Sequence, residues 1–264
     1  HASGYDIIFK AEDDATCGGA GLAPCTLDHE IEKYDGSTGN LVAWVRIPSL
    51  SDSVDTTIYM YYGNPAISSP TANPSGVWDP TYEGVWHLGE SSGAVLDSTS
   101  YGSNGTVTGT FTRQTPGQMG YAYDFGADGD VNVGDPVDGH LEIGSGSFTV
   151  SLWANVDQST TTWQTLVYKG ATGNWDERYS LGTSTDGLQI TFNVDDDKNG
   201  TPVVSTPNAT VTFDNWYHIV GVVDRTNNRL RIYNNGSEVG AGTDISTLGD
   251  VAWDRELQFP WAGS

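Results

Sequence analysis

Short apolar stretches recur along most of this chain at intervals of roughly 8–12 residues, with Gly, Asn and Asp residues between them. The segment Ser147–Val156 shows the pattern most clearly, because apolar residues occupy every second position, namely Phe148, Val150, Leu152 and Ala154. Alternation with a period of two is typical of a strand with one buried face. Strands at this spacing, joined by such turns, predict a β-sandwich or barrel.

Local turn chemistry agrees with this interpretation. The segments Trp216–Val223 and Leu230–Tyr233 flank a polar stretch and predict a hairpin, and Asn235-Gly236 predicts the next tight turn. The chain contains 33 Gly, and aromatic residues make up 11% of it, while strong helix formers are scarce. This composition favours an all-β fold. The sequence contains no convincing helix and no internal repeat.

A composition shift divides the chain. Four short strand-like segments precede residue 63, namely Tyr5–Phe9, Leu27–Tyr34, Leu41–Ile47 and Thr57–Tyr62. The stretch from Gly63 to Pro80 then holds four of the eleven prolines and few apolar residues, which is typical of a linker. We therefore predict a small β-rich domain at 1–64, a Pro-rich linker at 65–80 and a larger sandwich at 81–264.

The charge balance excludes several classes of function. Lys and Arg total 11 against 34 Asp and Glu, so the net charge is −23. Too few cations are present to neutralise a phosphate backbone, and an anionic membrane surface would repel the chain. No apolar run reaches the ~18 residues of a membrane span. We expect no nucleic-acid partner and no membrane insertion; the acidic surface indicates solubility or, in part, calcium loops.

Cys17 and Cys25 bracket a short Gly-rich insert, CGGAGLAPC. A loop of this length closes into a disulfide if the two Cα atoms approach within about 7 Å. A metal site is the weaker alternative, because two thiols without a His at ligand spacing are too few ligands. A disulfide fits secretion. The chain has no initiator Met and no leader segment, which indicates a processed product or an excised fragment.

Five segments in order resemble the concanavalin A-like, laminin-G-like jelly-roll superfamily over about 82–258: VWHLGE at 85–90, LDSTSYGSNGTVTG at 96–109, GYAYDFGADGDVNVGD at 120–135, GSFTVSLWANVD at 146–157 and NWYHIVGVVDRTNNRLRIYNNG at 215–236. The resemblance implies two stacked antiparallel sheets. It also implies a face or rim that binds glycans or protein ligands, and commonly a structural calcium ion.

The first part of the chain resembles a second family, an uncharacterised β-rich domain of secreted microbial surface proteins. The segments that carry this resemblance are GYDIIFKAEDD at 4–14, LDHEIEKYDGSTGNLVAWVRIPSL at 27–50 and TTIYMYYGNPAI at 56–67. It implies secretion and a modular architecture, and it brings no known activity. The expected fold is therefore a concanavalin A-like jelly-roll β-sandwich with a smaller N-terminal β domain.

One acidic strand is a candidate catalytic site. Alternation places Asp28, Glu30 and Glu32 on one face, with neighbouring Cα atoms about 6.5–7 Å apart. Retaining glycosidases use two carboxylates about 5–5.5 Å apart, and crowding would raise the pKa of one of them to suit a general acid. The alternative is a solvated strand face with no catalytic role.

Calcium ligands are expected in the turn loops of the larger domain. Asp97 and Asn104 flank one polar loop, and Asp128 and Asp130 lie in a Gly-rich loop. Calcium binds six to eight oxygens from carboxylates, amides and carbonyls, and a jelly-roll site would draw them from separate loops. For Asp97 the alternative is an Asx-turn.

Tryptophans in polar contexts are candidate sugar contacts, because sugars stack on exposed aromatic rings. Trp163 and Trp175 lie in such loop-like contexts, whereas Trp153 and Trp216 lie in strands and are expected in the core. An exposed aromatic residue can equally belong to a protein interface.

Together these features predict a secreted or cell-surface module for carbohydrate binding and adhesion, assisted by calcium and without catalytic activity. Its expected partner is a polysaccharide or cell-surface glycan. One alternative is a glycoside hydrolase in which Glu30 and Glu32 form the catalytic pair. Another is a structural subunit that associates with itself through open β-edges.

Overall fold

The computed structural model describes residues 2–21, 23–156, 163–171, 176–184, 188–198, 202–207, 210–252 and 254–260. Within these ranges, helical structure is limited to the short helix α1 (Pro74–Val77) and a 3₁₀ turn at Asp14–Cys17. The predicted all-β class is therefore confirmed. No helix in the described part of the chain is long and apolar enough to cross a membrane.

The strands in chain order are β1 (Ile8–Ala11), β2 (Thr26–Leu27), β3 (His29–Asp35), β4 (Asn40–Val45), β5 (Ile58–Tyr61), β6 (Thr106–Thr108), β7 (Phe111–Pro116), β8 (Tyr121–Phe125), β9 (Asp130–Gly134), β10 (Phe148–Asn155), β11 (Thr165–Ala171), β12 (Asp176–Thr183), β13 (Ile190–Val194), β14 (Val203–Ser205), β15 (Trp216–Asp224), β16 (Arg229–Asn234), β17 (Ser237–Asp244) and β18 (Glu256–Phe259). They belong to two compact units. The first comprises His1–Ser103 with Arg113–Tyr123, and the second comprises Asn104–Thr112 with Asp124–Ser264.

The first unit is built on small sheets. Strands β2, β1 and β5 form a three-stranded antiparallel sheet, and β3 and β4 form a hairpin. Its buried core consists of Ile7, Phe9, Ala11 and Leu27. The sulfur atoms of Cys17 and Cys25 are joined in a disulfide that packs against this core, with the Cα atoms 6.6 Å apart.

The Pro-rich stretch predicted as a linker at 65–80 lies inside the first unit. The Thr71 hydroxyl donates to the backbone carbonyls of Tyr5 and Ile7, at 2.8 and 2.6 Å. The amide of Asn73 donates to the carbonyl of His29. These hydrogen bonds attach the stretch to the segment that leads into β1 and to β3. In the structure the division between units first falls after Ser103.

The second unit is a two-sheet sandwich. One sheet has the order β10-β15-β16-β17, and the other has the order β14-β13-β12-β11-β18-β9-β6. Their inner faces meet where the ring of Phe192 lies against Gly221 and 6.3 Å from the ring of Phe148. A Cβ atom at Gly221 would stand 2.9 Å from the Phe192 ring, so glycine permits the close approach of the sheets.

The predicted hairpin in the second unit is confirmed. Strands β15 and β16 pair in antiparallel register, and the next turn has positive φ at both Asn235 (49°) and Gly236 (80°). Both angles belong to the turn type for which Asn-Gly is favoured.

Candidate functional site

Alternation on the four-stranded sheet leaves one face outside the sandwich core. In the β10–β15 register Leu152 lies opposite the fully buried Ile219, and Trp153 lies opposite His218 on the other face. Further side chains share that outer face because of their register. We call this set the aromatic face; it comprises Ser151, Trp153, Asn155, Trp216, His218 and Tyr233.

The aromatic face combines apolar rings with hydrogen-bonding groups. The rings of Trp153 and His218 lie 5.2 Å apart at an interplanar angle of 32°, and the Ser151 hydroxyl is 3.0 Å from Nε2 of His218. Ser151 and Asn155 are exposed, and the rings are partly exposed. Partly solvated rings beside hydroxyl and amide groups suit a ligand with an apolar face and a polar rim, such as a sugar.

The expectation that Trp153 and Trp216 belong to the core is wrong. Val150, Leu152 and Ala154 lie on the face of β10 that packs into the core, so Trp153 lies on the opposite face. Trp216 follows it there because it pairs with Asn155. The signal was present in the sequence, since a period of two assigns adjacent residues to opposite faces.

Of the two tryptophans predicted to contact sugar, Trp163 lies just before β11 with 47% of its surface exposed. Its ring is therefore accessible to a ligand, as the prediction requires. Trp175 lies outside the described residues.

The acidic strand β3 in the first unit leads to a different arrangement. Its residues Glu30 and Glu32 both contact His87, a residue far away in the sequence. Nε2 of His87 lies 3.2 Å from Oε2 of Glu30, and Nδ1 of His87 lies 2.9 Å from Oε2 of Glu32. At most 15% of each of these three side chains is exposed. We call these three residues the Glu–His–Glu cluster.

Two indole groups also donate hydrogen bonds to the carboxylates of the cluster. Trp78 donates its indole N–H to Glu30 at 2.8 Å, and Trp44 donates to Glu32 at 2.5 Å. The imidazole of His87 stacks on Trp44, with ring centroids 5.8 Å apart and an interplanar angle of 27°. The cluster is thus held between aromatic rings as well as by hydrogen bonds.

Electrostatics in the cluster favour a charged histidine. Burial opposes the charge on His87, but hydrogen bonds to Glu30 and Glu32 and their negative charges outweigh it and raise the pKa of His87 to about 9. Burial also disfavours the Glu30 carboxylate, yet hydrogen bonds from His87, Ser98 and Trp78 lower the pKa of Glu30. Both ring nitrogens therefore donate, and His87 is an imidazolium ion between two carboxylates.

This geometry differs from what the expected glycosidase pair requires. Crowding was expected to raise one carboxyl pKa, but the cation of His87 lies between the carboxylates, and the pKa of Glu30 is lowered. A general acid needs a raised pKa and a proton to donate. Asp28, the third acidic residue, instead accepts a hydrogen bond from the side-chain amide of Asn73 at 2.8 Å. The arrangement suits a structural anchor better than an acid–nucleophile pair.

The four expected calcium ligands are distributed over both units. Asp97 belongs to the first unit, is buried, and accepts hydrogen bonds from the amides of Val85, Thr99 and Ser103 in an Asx-turn arrangement. The other three, Asn104, Asp128 and Asp130, belong to the second unit. Among the described residues, no group of three or more His, Cys, Asp or Glu side chains is arranged so that it could hold a metal ion.

Most of the second unit matches a known superfamily. The profile of the concanavalin A-like lectin/glucanases superfamily matches residues 125–260, which is more than half of the chain. The chain belongs to this superfamily. A profile of a domain of unknown function matches residues 23–105, the region that contains the Glu–His–Glu cluster. Both resemblances noted in the sequence are thereby confirmed.

Solved structures show the same sandwich. The binding domain of Paraclostridial Mosquitocidal Protein 1 superposes with a TM-score of 0.53 and 15% identity, over 69% of this chain and 45% of that one. A point mutant of HCR/D gives a TM-score of 0.50 and 15% identity, over 66% of this chain and 42% of that one. This chain spans less than half of either structure. At such identity the likeness concerns the fold alone. No curated protein matches the sequence.

Proposed function

We propose that this concanavalin A-like protein is a non-catalytic module that binds polysaccharide or cell-surface glycan, and that it acts in adhesion. The single observation that carries the proposal is the aromatic face on the sandwich. Trp153 and His218 offer ring surfaces there, and Ser151 and Asn155 offer hydrogen-bonding groups beside them. A solvent-facing sheet surface with this mixture suits the chemistry of an extended sugar chain.

The comparisons support a binding role. The superfamily is named for lectins and glucanases, and the mosquitocidal protein's sandwich is part of a binding domain. The carboxylates of the Glu–His–Glu cluster already accept hydrogen bonds from His87 and two indoles. This arrangement argues against their use in hydrolysis and so favours a binding role.

The proposal also includes an extracellular location and assistance by calcium. The disulfide between Cys17 and Cys25 and the net charge of −23 support an oxidising, extracellular setting. Calcium assistance rests on the superfamily resemblance, with Asp97, Asn104, Asp128 and Asp130 as the candidate residues.

A polysaccharide panel tests the proposal. The full chain is incubated with each insoluble polysaccharide, with and without EDTA, and both retained protein and new reducing ends are measured. We expect saturable retention without new reducing ends, and loss of retention in EDTA if calcium assists. If new reducing ends form with the wild type and disappear in Glu30→Gln or Glu32→Gln, the protein is a glycoside hydrolase and not a non-catalytic binding module.

A second candidate function, self-assembly, is favoured by the free edge of β5. Strand β5 pairs with β1 on one side only, and no described residue pairs with its other side. Its four residues are exposed and uncharged, and Tyr62, which follows it, is exposed as well. An unprotected apolar edge is suited to pairing with another strand. We propose a second copy of this chain as the occupant, joined through antiparallel β5–β5 pairing.

A further inference from the structure

The second unit buries a lysine among acidic groups. Lys169 lies on β11, and its side chain is only 1% exposed. Its register places it opposite Tyr179 on β12 and Leu257 on β18, both of which are buried. The ammonium group therefore lies in the sandwich interior, where a charge without partners is costly.

Three groups surround the Lys169 nitrogen. Oε1 of Glu142 lies 2.7 Å from Nζ, Oδ1 of Asp135 lies 3.5 Å away, and the carbonyl oxygen of Arg255 accepts a hydrogen bond at 2.6 Å. Asp135 immediately follows β9, and 31% of its side chain is exposed. Nζ of Lys169 is thus held beside the carboxyl group whose carbon it would attack, and fixed proximity of this kind favours reaction between two groups.

We propose that Lys169 and Asp135 form an intramolecular isopeptide bond, with Glu142 as the proton carrier. Glu142 takes a proton from the Lys169 ammonium and passes it to the Asp135 carboxylate. The neutral amine then adds to the carboxyl carbon of Asp135. Glu142 transfers a second proton from the nitrogen to the departing hydroxyl, which leaves as water.

The reaction balances without an oxidant or any other reagent. Two hydrogens of Nζ and one oxygen of Asp135 leave as water, one C–N bond forms, and one C–O bond breaks. One buried positive charge and one negative charge disappear together, which removes part of the desolvation cost of the ion pair. Fixed proximity lowers the barrier that free amines and carboxylates meet in water. The exposed side of Asp135 gives the water a path out.

The bond would have a defined effect on the sheet. Strand β18 lies between β11 and β9, and Leu257 of β18 pairs with both Lys169 and Gly134. A covalent bridge from Lys169 to Asp135 crosses β18 and joins its two neighbours. The bridge would then prevent β11 and β9 from separating, so β18 would stay enclosed between them.

Mass spectrometry of the reduced, denatured full chain tests the proposal. We expect an intact mass lower than that of the sequence by one water, and a proteolytic fragment in which the Lys169 peptide is linked to the Asp135 peptide. An unmodified mass in the folded, aged wild type would overturn the proposal, and this result requires no variant.

Two variants separate this bond from other losses of water. Cyclisation at an Asp-Gly sequence such as Asp128-Gly129 also removes one water, but it does not involve Lys169. Lys169→Arg and Glu142→Gln should both show the full mass of their sequences. A deficit that persists in Lys169→Arg, or wild-type fragments that place the deficit elsewhere, would contradict the assignment.

Discussion

His87 links the stability of the first unit to pH. Its pKa is raised to about 9 from an ordinary value of 6.5 by the carboxylates of Glu30 and Glu32. A raised pKa in the folded state means that its stabilisation is complete below pH 6.5 and is lost as the pH rises through about 9. The lowered pKa of Glu30 has the opposite sign, so its contribution is lost as the pH falls below 4.5.

We therefore predict that His87→Gln destabilises the chain by about 3 kcal/mol near pH 6 and by much less near pH 9.5. The measurement is urea unfolding of the full chain, wild type against variant, at both pH values. His140→Gln is the matched control, because Nδ1 of His140 also lies close to a carboxylate, 2.6 Å from Oδ1 of Asp138, but in the second unit. An equal loss at both pH values would show that His87 is not held as a cation.

The Glu–His–Glu cluster also shows what residue patterns can and cannot reveal. Alternation along β3 correctly indicated that Glu30 and Glu32 share a face. It could not reveal His87, because the contact depends on tertiary folding over a long sequence separation. Without knowledge of that cation, crowding predicts a raised pKa for one carboxyl group of the pair, whereas the pKa of Glu30 is lowered.

Among the elements, β5 gives the sharpest prediction about assembly. A lysine at Tyr61 would put a charge into the proposed seam, whereas a lysine at Val54 would add the same charge in an exposed loop. We expect sedimentation to show a dimer of the wild type and of Val54→Lys, and a monomer of Tyr61→Lys. The dimer should strengthen as salt rises, because salt screens the repulsion between two chains of net charge −23. A wild type that stays monomeric at high salt would contradict this assembly.

Strands and turns can be predicted from the sequence where short-range patterns determine them. The β15–β16 hairpin and the Asn235-Gly236 turn follow from alternation and turn chemistry, and both are present. For the stretch 65–80, composition alone does not predict the contacts. Prolines and few apolar residues are typical of a linker, but Thr71 and Asn73 attach it to the first unit through hydrogen bonds that composition does not reveal.

At the scale of the whole molecule, the net charge of −23 sets a condition on any ligand. Binding to a cationic surface through this charge would weaken steeply with salt, because screening acts on separated charges. Stacking of a neutral sugar on Trp153 has no such dependence. We predict that retention on a neutral polysaccharide changes little between low and high salt; a steep loss would indicate an electrostatic partner instead.

The most direct test of the proposed function compares retention of wild type, Trp153→Ala and Tyr101→Ala on the polysaccharide that the panel selects. Tyr101 is a matched control, since it is an exposed aromatic residue in the first unit. We predict that Trp153→Ala weakens binding about tenfold or more and that Tyr101→Ala leaves it unchanged. Equal retention of all three proteins, with each variant folded as judged by circular dichroism, would contradict a sugar site on the aromatic face.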